Sequence, residues 1–131
     1  MSKILEIKEV DNIRLRTHTW DEDYEGYIIK TEDKDYKVLI TNGQSCCESF
    51  GYIQSEDDLT EFIGAELLSV QTTDVALVKV DVEYDYAGDI MFVDFNTSKG
   101  TFQLSVYNYH NGYYGHGIII TTDEKEIIGY L

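Results

Sequence analysis

The chain has no proline, a single tryptophan and two cysteines, and its ten basic residues face twenty-five acidic ones. Without proline, strand ends and turns must be made by glycine, asparagine and aspartate. Two adjacent cysteines, Cys46 and Cys47, exclude a disulfide framework, because neighbours rarely bridge each other. No apolar run is long enough to cross a bilayer, and no signal or lipidation motif is visible. The expected setting is therefore cytoplasmic, where thiols stay reduced. The shortage of positive charge argues against direct contact with nucleic acid or an anionic membrane. A net charge of −15 favours a basic protein surface instead.

What is present suffices for one core. At 131 residues, residues 1–131 form one expected domain, and a hydrophobic fraction of 43% excludes a disordered chain despite the charge. From Lys37 onward there are fifteen acidic and four basic residues, so 15 − 4 = 11 of the negative excess lies there.

Alternation of apolar and polar residues predicts strands over Ile13–Trp20, Tyr27–Thr31 and Tyr36–Thr41, the last two joined as a hairpin through residues 32–35. Ile4–Val10 reads as a short strand or an opening turn. Ser55 followed by Asp58 resembles a capping box, and Leu59, Phe62 and Ile63 share a helical face. Gly64 then ends that helix in a left-handed conformation. Further strands are expected over 65–70, 75–85, 89–95, 101–110 and 113–121. The last two are joined as a hairpin through Asn111-Gly112, a strong turn signal. The expected fold class is α+β: a single twisted or partly closed antiparallel sheet with one short helix.

Chemistry-bearing residues gather in two stretches. In the first, Cys46, Cys47 and Glu48 lie between Gly43 and Gly51. On extended backbone the two thiols point to opposite faces, so Cys46 and Glu48 could bind one metal while the two cysteines could not; a turn relaxes that limit. The alternative is a cysteine buried as a small hydrophobe. In the second stretch, a two-residue turn sets His110 opposite Tyr113, whereas a longer loop sets His110 opposite His116. Two imidazoles with a thiolate and a carboxylate would suit zinc, although the spacing matches no known zinc signature and structural surface histidines are the alternative. No Gly-rich phosphate loop, nucleophile elbow or metalloprotease helix is present, so the reading is non-enzymatic.

Asp81, Glu83 and Asp85 alternate on one strand face, with Asp89 in the following turn. Two residues of strand span about 6.8 Å, comparable to the spacing of successive phosphates. Such a row could stand in for a nucleic-acid backbone; an ordinary solvated sheet face is the alternative. Tyr113 and Tyr114, with Tyr107 and Tyr109, add stiff amphipathic contact area of the kind that binding surfaces use.

Three segments, Asn42 to Tyr52, Asp58 to Glu66 and Val106 to His116, resemble a family of small uncharacterised proteins of phages and prophages of Gram-positive bacteria. The similarity covers most of the chain from about Lys37 onward. In size, acidity and setting the chain is similar to anti-CRISPR proteins that block Cas9, some of which hold a metal. The resemblance implies an inhibitor, in the bacterial host cell, that docks an acidic surface on a basic DNA channel of a Cas9-type nuclease. It also leaves open a sponge for a cyclic nucleotide signal, or a phage structural or assembly protein. Asp81, Glu83, Asp85, Asp89, Tyr113 and Tyr114 are the expected partner-binding residues, and Cys46, Cys47, Glu48, His110 and His116 the expected zinc ligands.

Overall fold

The computed structural model describes residues 2–16, 21–42, 49–56, 58–73, 87–110 and 116–130. Nine strands make up the described chain: β1 (Ser2–Arg16), β2 (Asp21–Thr31), β3 (Asp35–Thr41), β4 (Ser49–Gln54), β5 (Glu66–Thr73), β6 (Ala87–Thr97), β7 (Gly100–His110), β8 (Gly117–Thr121) and β9 (Glu126–Tyr130). They form one open antiparallel sheet in the order β4-β7-β6-β5-β1-β2-β3-β8-β9. Among the described residues the only helical element is a 3₁₀ turn at Leu59–Phe62, so the described fold is one antiparallel sheet and the α+β expectation overstates its helix. Ser55 does not cap a helix. Its backbone N–H donates to the Gln103 carbonyl at 2.9 Å and its hydroxyl accepts from Gln103 N–H at 2.8 Å, which prolongs the β4–β7 ladder. The cap is Asp58, whose carboxylate accepts from Thr60 N–H at 3.0 Å, and one turn is all that remains before Gly64 at φ +89°.

The sheet bends at a corner. β1 meets β5 only through Ser2–Leu67 and Lys3–Glu66, at the beginning of both strands. The two run in opposite directions from that point, so β4–β7 and β1–β3 with β8–β9 form two half-sheets, and one folds over the other. Their facing residues make the main core, with Ile29, Val38, Ile40, Ile118 and Ile120 on one side and Val93, Phe95, Phe102, Leu104 and Val106 on the other. Tyr36 meets Phe95 edge-on across the interface at 6.3 Å. Strand alternation sends Leu39 and Ile119 to the opposite face, where they join Val10, Tyr24 and Ile28 in a second cluster. That is why Ile118–Ile120 is buried without interruption.

Bulges allow β1 to follow this bend. One extra residue enters β1 between Ile4 and Glu6 and another between Val10 and Ile13. Opposite the second, Gly26 sits at φ +138°, and a Cβ there would lie 2.1 Å from the Val38 carbonyl oxygen. Only glycine fits this close approach.

The turns at the corner are tied together. Glu32 N–H donates to the Lys3 carbonyl, Gly64 N–H to that of Ile4, and Ser98 N–H to that of Glu66. In the turn between β8 and β9, Asp123 acts as a short surrogate strand along β5. Its N–H reaches the Val70 carbonyl at 3.2 Å, its Oδ2 accepts from Val70 N–H at 2.9 Å, and its Oδ1 accepts from the Tyr36 hydroxyl at 2.9 Å.

β7 pairs with β6 and β4, while β8 pairs with β3 and β9. The expected β7–β8 hairpin is therefore not formed; the two strands belong to different half-sheets. His110 pairs with Ala87 and is not opposed by His116, while Tyr113 lies outside the described residues.

Candidate functional site

Folding about the corner carries the strand ends Asn42, Ser49, His110 and His116 to the end of the molecule farthest from the tied turns. Of the expected metal ligands, Cys46, Cys47 and Glu48 lie outside the described residues, and only the backbone of His110 is described, at the end of β7. His116 is fully described. It is buried, and its Nδ1 lies 2.8 Å from the Thr41 carbonyl oxygen and 3.0 Å from Thr41 Oγ1. A carbonyl can only accept, so Nδ1 carries a proton and donates it to Thr41. Among the described residues no group of three or more His, Cys, Asp or Glu side chains is placed to hold a metal ion. Of the expected partner-binding residues, Asp81, Glu83, Asp85, Tyr113 and Tyr114 lie outside the described residues. The Asp89 backbone belongs to β6, opposite Asn108, and not to a turn.

A polar cluster that the sequence did not suggest bridges the half-sheets. Tyr27 of β2 and Tyr52 of β4 meet edge to face at 5.4 Å. Both hydroxyls converge on Glu9 of β1: Tyr52 donates to Glu9 Oε2 at 2.8 Å, and the Tyr27 hydroxyl lies 3.3 Å from the same oxygen. The Tyr27 hydroxyl also meets the Gln54 amide oxygen, and Gln54 Nε2 donates to the Glu56 carbonyl at 2.7 Å. Burial, then the charge and hydrogen bond of Glu9, push the Tyr27 hydroxyl up to about 12; burial and the Glu9 hydrogen bond raise Tyr52 as well. Burial also raises the Glu25 carboxyl on β2, against the charge of His116, which lowers it, while Asp11 adds to the rise. The cluster is a braced polar seam with both tyrosines held as neutral donors. Its members stand 18, 27 and 43 residues apart along the chain, so no local motif could reveal it.

Among the described residues, nine exposed acidic side chains gather at the turns. The β2–β3 turn presents Glu32, Asp33 and Asp35, the 3₁₀ turn and the start of β5 present Asp58, Glu61 and Glu66, and the β8–β9 turn presents Asp123, Glu124 and Glu126. All nine are exposed and all lie at the corner end. Lys3, Lys30, Lys34, Lys99 and Lys125 are the exposed cations set among them. The corner end therefore carries nine exposed acids against five exposed lysines.

No curated protein and no solved structure matches the chain. A family model does: that of a domain of unknown function, DUF7448, matches residues 2–120, from the start of β1 to Ile120 in β8. The chain belongs to the DUF7448 family.

Proposed function

We propose that the protein is a non-catalytic inhibitor that presents negative charge to a basic, nucleic-acid-binding channel of another protein. A Cas9-type nuclease is the partner suggested by the sequence resemblance. The observation that carries this reading is the gathering of nine exposed carboxylates on the hydrogen-bonded turns at the sheet corner, with five lysines among them. Carboxylates on hydrogen-bonded turns keep their spacing without further ordering on binding, which lowers the entropic cost of docking. Long-range attraction to a positively charged channel speeds encounter at low salt. Asp81, Glu83, Asp85 and Asp89 extend the same proposal as a second acidic set, with Tyr113 and Tyr114 as contact residues.

A structural zinc held by Cys46, Cys47, Glu48, His110 and His116 is part of the proposal. The support is the His116 ring, whose Nδ1–H donates to a backbone carbonyl; that arrangement commonly orients a ligating imidazole. Elemental analysis of protein purified without added metal decides it: a stoichiometric content supports the ion and its absence removes it.

Two charge-reversed proteins test the main reading against an RNA-loaded Cas9-type nuclease. One carries Glu32→Lys, Asp33→Lys and Glu124→Lys, and the other Asp81→Lys, Glu83→Lys and Asp85→Lys. Binding by the unaltered protein should weaken steeply with salt and fall at least tenfold in one of the two variants. No binding at low salt, or binding unchanged in both variants, overturns the assignment.

A further inference from the structure

We infer that β9 is a pairing edge for a second copy of this chain, joined antiparallel about a twofold axis at Ile128. The hydrogen-bonding phase of β9 follows from the turn before it. Thr122 N–H donates to the Lys125 carbonyl at 2.8 Å, which makes that couple a hydrogen-bonded pair. Pairs alternate along an antiparallel ladder, so Ile120–Ile127 and Ile118–Gly129 are hydrogen-bonded and the pairs between them are not. On the other side of β8, Gly117 N–H points at Thr41 Oγ1 of β3, as this phase requires. The peptide groups of Glu126, Ile128 and Tyr130 therefore face away from β8. β9 is the last strand of the sheet, and no described strand pairs with that side.

The other flanks that are unpaired among the described residues are each modified. β1 beyond Lys3 carries two bulges together with Lys8 and Arg14, devices that blunt an edge. β4 is held against β2 and β1 by the Tyr52, Gln54, Tyr27 and Glu9 side chains, and β5 is capped at Val70 by Asp123. β9 is short and carries one charge, Glu126, but its sequence Glu-Ile-Ile-Gly-Tyr has no proline and no lysine, and its pairing with β8 has no bulge. Ile128 is 42% exposed and faces the same side as its partner Ile119 of the second apolar cluster.

The edge is complementary to itself. Centring two copies on Ile128 sets Ile128 against Ile128 and each Glu126 against the other copy's Tyr130. That gives three outward-facing pairs with two hydrogen bonds each, 3 × 2 = 6 in all. A shift of two residues either way loses one of the three pairs. Glu126, the one charged residue of β9, lies 4.0 Å from Lys37 and opposes no acid in the centred register. Strand pairing alone buries less than the roughly 1,200 Å² of a standard interface. A charge of −15 on each copy opposes association further, so the dimer is weak at low salt and tightens as salt screens the repulsion. This is the reverse of the salt dependence expected for a basic partner, so the two proposals fail independently.

Sedimentation from about 10 μM to about 1 mM, at low and high salt, tests the inference at concentrations where weak pairing is visible. The weight-average mass should move from 15.1 kDa toward twice that value, further at high salt. Ile128→Lys should remain monomeric throughout. Amide exchange supplies a readout without a variant: protection at Glu126, Ile128 and Tyr130 should grow with concentration, while Ile127 and Gly129 stay protected at every concentration. A monomer at about 1 mM in high salt, an Ile128→Lys protein that still dimerises, or outward amides indifferent to concentration would each overturn it.

Discussion

Replacing Asp123 with alanine should destabilise the protein more than the exposure of that residue suggests. The carboxylate accepts from the Val70 N–H and from the Tyr36 hydroxyl, and both donor residues are buried. A hydrogen bond is worth about 1 kcal/mol net, and a buried donor left without an acceptor costs about 1–3 kcal/mol. Together these give a loss of about 2–4 kcal/mol for Asp123→Ala. Unfolding entropy of about 2.1 cal/mol/K per residue over this chain length makes that a drop of roughly 7–15 °C in Tm. Asp123→Asn keeps one acceptor oxygen and should lose about half as much. Tyr36→Phe removes one of the two donors, so the cycle Asp123→Ala with Tyr36→Phe should show a coupling of about 1 kcal/mol. Urea denaturation of the four proteins, with a shared slope, measures every corner of the cycle. A cost for Asp123→Ala within about 0.5 kcal/mol of zero, or additive single effects, would refute the view that this side chain clamps the two half-sheets.

Two further expectations concern pH. The Tyr27 and Tyr36 hydroxyls are each pushed up to about 12, by burial first and by neighbouring carboxylates second. A raised folded value favours the proton-bound form in the folded state, so their contribution is full below the unfolded value of 10 and disappears as pH rises toward 12. Stability should be level up to about pH 10 and fall across that window, and Tyr36→Phe should make the fall shallower. Glu25 has the same sign in a different range. Burial raises its carboxyl above 4.5, so the folded state disfavours the carboxylate at neutral pH. Glu25→Gln should raise the Tm at pH 7 and make no difference below the unfolded value. A gain that persists in acid would assign the effect to packing.

The sequence announced strands wherever burial is one-sided and local. β2 and β3 alternate cleanly, and their turn was legible from residues 32–35. β1 reads as two pieces in the sequence because its bulges at Leu5 and after Val10 shift the alternation twice. Leu59 and Phe62 are three residues apart, which suits a 3₁₀ turn as well as an α-helix, and only the pairing of Ser55 with Gln103 shows that nothing longer forms. The Asn111-Gly112 signal is local, whereas the partner of β8 is decided by burial. The unbroken apolar run Ile118–Ile120 marks a strand covered on both faces, and that clue outranks the turn. Of the candidate site, His116 was singled out from sequence and is a buried, hydrogen-bonded side chain. The seam of Glu9, Tyr27, Tyr52 and Gln54 was illegible because each member looks ordinary until three strands come together.

The neighbouring of β3 and β8 bears on how the chain is made. Val38 rests beside Ile120, so everything numbered between them is synthesised before that contact can close. β1, β2 and β3 are made before β8 and must wait, one flank bare, for its three isoleucines. Pairings across such sequence distances form slowly and leave unpaired strands open to wrong partners in the meantime. The half-sheet that β1 begins is closed only after every strand of the other half-sheet has been made.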